Sequence, residues 1–141
     1  MRTYYIFRIN SINNTIHNKK KISIYKLLNR INNLSRKDYK IGEGIYKNII
    51  IPLDKIKINN YILSNHVNDI YYRKEDNIHT LESGLERSKL IVNNTYIKIV
   101  TTNNIPTFFK DLFPIFNNTL CIDFDNKDYF YLDELELKLL V

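Results

Sequence analysis

The chain has 141 residues, 44% of them hydrophobic and 13% aromatic, a content that excludes an intrinsically disordered protein. Length and composition predict one compact domain over residues 1–141, able to bury about two-thirds of its unfolded surface. The net charge of +6 favours acidic partners, but Lys, Asn, Ile and Tyr all have AT-rich codons, so an AT-rich coding sequence is an alternative origin for these lysines.

The start of the chain and its cysteine content bear on location. Arg8 interrupts the apolar run of MRTYYIFRINSI well short of the hydrophobic region of a signal peptide. No segment approaches the ~20 apolar residues needed to cross a bilayer. A single cysteine cannot form an internal disulfide, which is typical of a reducing compartment. We therefore expect a cytoplasmic protein without a membrane partner.

The first elements have clear periodicity. Residues 4–9 alternate in polarity around a fully apolar face, which predicts a strand. Residues 10–20 are polar, with Ile12 and Ile16 four apart, and favour a loop or a short exposed helical turn. Apolar residues then recur every three or four positions and predict an amphipathic helix from about 21 to 34.

The middle of the chain is harder to assign. Apolar residues before Pro52 predict a helix that ends at this proline and is weakened upstream by Gly42 and Gly44. Residues 54–65 fit either a helix or a strand. Ile56 and Ile58 alternate as in a strand, whereas Leu53, Ile56 and Leu63 have helical spacing. The segment 67–72 predicts a short strand before a charged turn, RKED.

The second half predicts two hairpins around a helix. In residues 89–100, two β-branched runs flank Asn93-Asn94, and asparagine tolerates the positive φ of a two-residue turn. A short helix follows, with Pro106 near its first turn and Pro114 at its end. Its stripe contains Ile105, Phe108, Phe109 and Leu112.

The end of the chain predicts strands TLCIDF and YFYL around the turn DNKD. Glu134, Glu136 and Lys138 then alternate with leucines, which favours a further half-buried or edge strand. The order of elements predicts an α+β fold with a mainly antiparallel sheet packed with several helices.

The acidic C-terminal stretch raises the possibility of a metal site. Asp123, Asp125 and Glu134 partly imitate a calcium loop, but Lys127 and Asp128 occupy positions that require an oxygen ligand and a glycine. A two-metal site would use Asp123 and Asp125 on one strand face, yet no confident third ligand follows. Turn residues that join two strands are the favoured interpretation.

No other pattern predicts catalysis. Cys121 lies in an apolar strand, which favours a small buried hydrophobe over a nucleophile. His17, His66 and His79 are scattered, which favours surface or satisfied histidines over a metal site. The sequence predicts no enzyme, no catalytic residue and no cofactor or metal.

Nucleic-acid binding is the stronger alternative function. Basic residues cluster on and after the first predicted helix, where they could dock on phosphates, although a solvated lysine face is the commoner outcome. They are Lys19, Lys20, Lys21, Lys26, Arg30, Arg36, Lys37 and Lys40. A basic DNA-binding regulatory domain therefore stays open.

With this layout, the chain resembles the SirA family. The resemblance rests on Tyr4-Tyr5, YIKIV (96–100), Phe108-Phe109, Ile122-Asp123-Phe124 and Tyr129-x-Tyr131-Leu132. It implies a non-enzymatic inhibitor that binds the N-terminal domain of the replication initiator DnaA. Such inhibitors stop new rounds of replication as cells commit to sporulation.

The resemblance also implies where the partner binds. The family's aromatic contact positions fall at Asn13 and His17, or at Ile12 and Ile16 with a one-residue shift, and a polar contact falls at Lys47 or Asn48. Ile12 and Ile16 would share one helical face, where they could serve as apolar anchors. Packing of this pair on the protein's own sheet is the alternative. Glu134 replaces a family proline.

Overall fold

The computed structural model describes residues 1–10, 17–33, 39–115 and 118–135. Within these residues, seven strands form one antiparallel sheet in the order β2-β3-β4-β5-β1-β6-β7, and helices pack against it. The strands are β1 (Arg2–Arg8), β2 (Tyr72–Glu75), β3 (Ile78–Glu82), β4 (Arg87–Val92), β5 (Ile97–Thr101), β6 (Thr119–Asp123) and β7 (Asp128–Tyr131). The helices are α1 (His17–Asn32), α2 (Tyr39–Ile49), α3 (Lys55–Asn65) and α4 (Phe108–Leu112). The predicted α+β class with a mainly antiparallel sheet is confirmed.

Strand β1 lies inside the sheet, between β5 and β6. Tyr4 pairs with Ile99 of β5, and Ile6 pairs with Cys121 of β6. Successive side chains of a strand point to opposite faces. Tyr4 and Ile6 therefore enter one core, whereas Phe7 enters the other. This single strand contributes to both cores, as its two-sided burial requires.

The two faces of the sheet carry separate cores. On the first face, α3 and α4 pack over β1, β3, β4, β5 and β6 through Ile58, Ile62, Phe108, Phe109 and Leu112. On the second face, α1 packs over β1, β6 and β7 through Ile24 and Leu28, with Tyr46 of α2 beside them. Cys121 is completely buried in the first core, so the prediction of a small buried hydrophobe is confirmed.

Helical cover on the second face stops at β5. The strands that contribute buried residues to the second core are β1, β6 and β7, whereas β2, β3 and β4 contribute none. On this side of those three strands Arg73, Glu82 and Lys89 are exposed to solvent. About half of the second face is therefore covered, and the remainder faces solvent.

Helix α3 settles the ambiguous segment 54–65 in favour of a helix. Asp54 caps it, since its Oδ1 accepts a hydrogen bond from the backbone N of Lys57 at 3.2 Å. Ile58 and Ile62, one turn apart, are buried in the first core, whereas Ile56 is 76% exposed. The strand-like alternation of isoleucines thus had no structural counterpart.

The strand predicted at 67–72 is wrong. Strand β2 begins at Tyr72 and contains most of the expected turn, and the chain reverses instead at Asp76, which has a φ of 53°. Charged side chains are tolerated there because β2 is the edge strand of the sheet.

The hairpin at 89–100 is confirmed, but its turn is displaced by one residue. The backbone N of Asn93 donates to the carbonyl of Tyr96 at 3.0 Å, so Asn94 and Thr95 are the central residues. Neither Asn93 nor Asn94 has a positive φ. The carbonyl of Asn94 instead accepts from the backbone N of Leu53 at 2.7 Å, a tertiary contact that helps fix the turn.

The helix before Pro114 and the final hairpin are confirmed, whereas the last predicted strand is wrong where it can be compared. Ile105 of the predicted stripe is 45% exposed and precedes α4. Residues 132–135, which include Glu134, form a helical turn after β7, and residues 136–141 lie outside the described part of the chain. Leu132 and Leu135 pack against the first core, which accounts for the apolar spacing there.

A network of side-chain hydrogen bonds lies beneath α3 and connects it to β2 and β3. Nε2 of His79 donates to Oδ1 of Asn59 at 2.7 Å, since Nδ2 of Asn59 is the donor to Asn77 at 2.9 Å. Nδ1 of His79 then accepts from the hydroxyl of Tyr72 at 2.6 Å. These bonds fit a neutral imidazole. The other buried histidine, His66, lies between Asp69 and Asp111, so both are satisfied as predicted.

We expect His79 to make stability fall as the pH is lowered from 6.5 to 4. Burial, helped by the charges of Lys74 and His66, lowers the pKa of His79 to about 4. An unfolded histidine titrates near ~6.5, so between these values the unfolded chain binds the extra proton. The free energy of unfolding should fall by up to about 3 kcal/mol, as urea unfolding at several pH values would measure. A His79→Gln variant should show a shallower slope; parallel slopes would contradict the assignment.

We also expect Gly44→Ala to stabilise α2. A Cβ at this helical position would meet nothing within 4 Å. Alanine should therefore raise the free energy of unfolding by about 0.5–1 kcal/mol, through its lower conformational entropy in the unfolded chain. The midpoint of urea unfolding gives the measurement, and a lower midpoint would show that residue 44 does not lie in an open helical position.

Candidate partner-binding surface

The C-terminal half of α2 carries two of the predicted contact residues on its solvent side. Lys47 and Asn48 are both exposed. Nζ of Lys47 lies 3.3 Å from Oε1 of Glu43, an ion pair across one helical turn. Such an exposed pair adds little to stability, so Lys47 is available to exchange this partner for another.

The other predicted contacts are only partly within the described chain. Ile12, Asn13 and Ile16 lie outside the described residues. His17 is the first residue of α1, and its side chain is likewise outside the described part. The structure therefore leaves the choice between the two registers of anchor residues open.

The chain nevertheless leaves β1 beside the end of α2. The backbone N of Asn10 donates to the carbonyl of Ile49 at 2.8 Å, and its Nδ2 donates to the carbonyl of Asn48 at 3.5 Å. Asn10, the last described residue of this segment, is thus held next to Asn48.

Sequence reasoning missed one apolar residue on this surface. Ile45 is 38% exposed and lies three residues before Asn48, so the two share a helical face. Gly44, which projects no side chain, lies beside them. We call Gly44, Ile45, Lys47 and Asn48 the outer face of α2. The sequence carried no signal of this exposure, because Ile45 lies four residues before Ile49, which packs against the second core.

A cavity of about 540 Å³, lined largely by aromatic side chains, lies between helices α1 and α2 and the sheet; we call it the aromatic cavity. Its lining includes Tyr5, Phe7, Tyr46, Tyr96 and Phe124. The hydroxyl of Tyr46 donates to Oγ1 of Thr95 at 2.8 Å, and burial raises the pKa of this tyrosine. Glu43 lines the same cavity, so the cavity adjoins the outer face of α2.

The acidic hairpin is a structural turn, as predicted. Oδ2 of Asp123 lies 3.0 Å from Nε of Arg2, and Asp128 holds the same guanidinium at 3.1 Å. Asn126 donates to Asp123 through both its backbone N and its side chain. Burial would raise the pKa of Asp123, but the bonds from Asn126 and Arg2 outweigh it and lower this pKa.

The two aspartates do not form a shared site. Asp123 is 1% exposed and fully engaged by protein donors, whereas Asp125 is exposed in the turn after β6. Within the described residues, no three histidine, cysteine or acidic side chains are grouped so that they could hold a metal ion. Asp123 therefore secures the first strand to the last hairpin.

The predicted basic helix face is only partly described. Lys26 and Arg30 are exposed on α1. The side chains of Lys19, Lys20, Lys21, Arg36, Lys37 and Lys40 lie outside the described part of the chain. A phosphate-binding role for this helix therefore stays a prediction.

We expect Asp123→Asn to destabilise the fold by about 2 kcal/mol, because it removes a buried charged acceptor from Arg2. Asp125→Asn, at an exposed turn position, should change the free energy of unfolding by less than about 0.5 kcal/mol. Urea unfolding would measure both variants. An Asp123→Asn protein of unchanged stability, together with a parent protein stabilised by Mg²⁺ or Ca²⁺, would favour a metal site instead.

Comparison with known proteins assigns the chain to a family. A family model described as sporulation inhibitor of replication protein SirA matches residues 2–136. The chain belongs to the SirA family, as the resemblance had indicated, and this family is one of replication inhibitors. No curated protein matches the chain. In the described part of the chain, no helix has the length and apolar character to span a membrane.

Proposed function

We propose that this chain inhibits the initiation of replication by binding the N-terminal domain of the initiator DnaA, in the cytoplasm and without catalysing a reaction. Membership of a family of sporulation inhibitors of replication supports inhibition as the activity. The partner domain is the one implied by the resemblance of the sequence. One folded domain, residues 1–141, would carry the whole activity.

The observation that carries this proposal is an exposed isoleucine beside the predicted polar contacts. Ile45 and Asn48 share a face of α2, and hydrogen bonds from Asn10 hold the residue that follows β1 and Ile9 at the end of the same helix. Protein interfaces commonly combine a few apolar anchors with a polar rim that excludes water. Ile45, with Ile12 or Ile16, would be the anchors, and Asn13, His17, Lys47 and Asn48 the rim.

The mechanism is steric occlusion. A folded surface that covers part of the initiator prevents that part from contacting another initiator molecule or a regulator at the origin. The interaction needs no cofactor and no chemical step. The affinity should depend mainly on burial of the isoleucines. Lys47 already pairs with Glu43, so a contact of Lys47 with the partner would replace an existing ion pair and add little.

We expect Ile45→Glu to weaken binding to the DnaA N-terminal domain at least tenfold, because a charge would be buried at an apolar contact. Ile16→Glu and His17→Glu test the two registers of the preceding segment. Lys57→Glu is the control, since Lys57 is exposed on α3, on the opposite face of the sheet.

Isothermal titration calorimetry gives the measurement, at 50 and 200 mM salt. An apolar contact should change little over this range, whereas binding through phosphate contacts would weaken steeply. Absence of binding by the parent protein would refute the proposed partner. Equal losses in Ile45→Glu and Lys57→Glu would refute the proposed surface.

A further inference from the structure

The uncovered half of the second sheet face is basic along its middle strands. The side chains of β4 and β5 that point to this side are Arg87, Lys89, Ile91, Lys98 and Val100. All the charged ones are cations. Of the carboxylates on this side, Glu75 lies on the edge strand β2, and Glu82 of β3 is the cross-strand partner of Arg87. We call Arg87, Lys89 and Lys98 the cationic band.

The members of the cationic band are neighbours, and neither Lys89 nor Lys98 has a carboxylate as its cross-strand partner. Arg87 and Lys89 are two residues apart on one strand, about 7 Å. Lys89 pairs with Val100, which makes Lys98 its diagonal neighbour, also about 7 Å away. In the described part of the chain, none of the three forms an ion pair with a carboxylate. Because Arg87 lies opposite Glu82, the local positive potential comes mainly from Lys89 and Lys98.

The cationic band continues directly into the aromatic cavity. Tyr5 is the register partner of Lys98, and Nζ of Lys98 lies 5.8 Å from the centre of the Tyr5 ring. The rings of Tyr96 and Phe124 follow at centroid distances of 5.8 and 5.5 Å from Tyr5. All three rings are only partly buried and line the cavity of about 540 Å³. A flat aromatic ligand therefore has both room and ring faces.

We propose that this surface binds single-stranded DNA, with the backbone phosphates on the cationic band and a base in the aromatic cavity. An acidic peptide would use the cations but leave the rings without a partner. Duplex DNA would keep its bases stacked within the helix. A single strand supplies both negative charge and exposed aromatic faces, the combination that stacking platforms recognise. DNA is the polymer favoured over RNA because replication, the process named for this family, separates its strands.

This binding differs from the proposed protein contact in location and chemistry. The cationic band lies on β4 and β5, whereas the outer face of α2 carries Ile45 and Asn48. The negative charge of Glu43 at the cavity is offset by Lys47 at 3.3 Å. The experiment therefore needs no DnaA domain, and its outcome is independent of the proposed function.

The test uses fluorescence anisotropy with the full chain and a labelled 12-nucleotide oligothymidylate. Lys89→Glu/Lys98→Glu should weaken binding at least tenfold. Lys57→Glu/Lys110→Glu is the matched control: both lysines are exposed on helices of the first face, and the change in net charge is the same. This control should stay within threefold of the parent. Equal losses in the two double variants would overturn the site, since net charge alone would then explain binding.

A second arm tests the aromatic cavity without relying on a variant that could fail to fold. An abasic phosphodiester strand of equal length should bind the parent at least fivefold more weakly, because it has no base to stack. The Tyr96→Leu variant should bind the normal oligonucleotide at least fivefold more weakly than the parent protein does. The salt dependence of its affinity should be unchanged. Equal binding of the abasic strand would overturn the proposal. So would equal or tighter binding of duplex DNA or of the corresponding RNA.

Discussion

Burial of β1 on both faces is the constraint on which the rest of the structure depends. Its pairing with β5 and β6 joins the β2–β5 meander to the β6–β7 hairpin, so that one sheet forms instead of two. Its alternation places large apolar side chains in both cores. Helices must therefore cover the sheet on both sides of this strand, which sets where α1 and α2 lie.

Among the described residues, α1 and α2 cover only part of the second face. α1 and α2 supply enough apolar surface for β1, β6 and β7, and charged residues of the outer strands face solvent where the helices end. The outer face of α2, the aromatic cavity and the cationic band consequently lie on one side of the sheet. A protein held by α2 would thus be close to anything held by β4 and β5, and the two proposed contacts could compete or cooperate.

Sequence reasoning worked where periodicity and burial agree. β1, α1 and the two C-terminal hairpins have long patterns that local residues and tertiary packing both favour. It failed at 67–72, where exposed Val67 and Ile70 belong to the turns between α3 and β2. The alternation near Glu134 also misled, because Leu135 belongs to a helical turn in which it packs on the same side as Leu132, three residues before it. The turn near Asn93 shifted because a backbone contact from Leu53 holds it.

The candidate surfaces were harder to predict than the fold, for related reasons. Ile45 is apolar, so a single sequence gives no sign that it faces solvent. Membership of the cationic band depends on the register between β4 and β5, and its proximity to Tyr5 depends on a pairing across some ninety residues. The same long-range pairing has a consequence for synthesis on the ribosome. The β2–β5 meander can form soon after it emerges, but β1 must wait for strands made much later, with its apolar edge exposed to other chains meanwhile. Chaperone capture of nascent chains should therefore centre on the first ten residues.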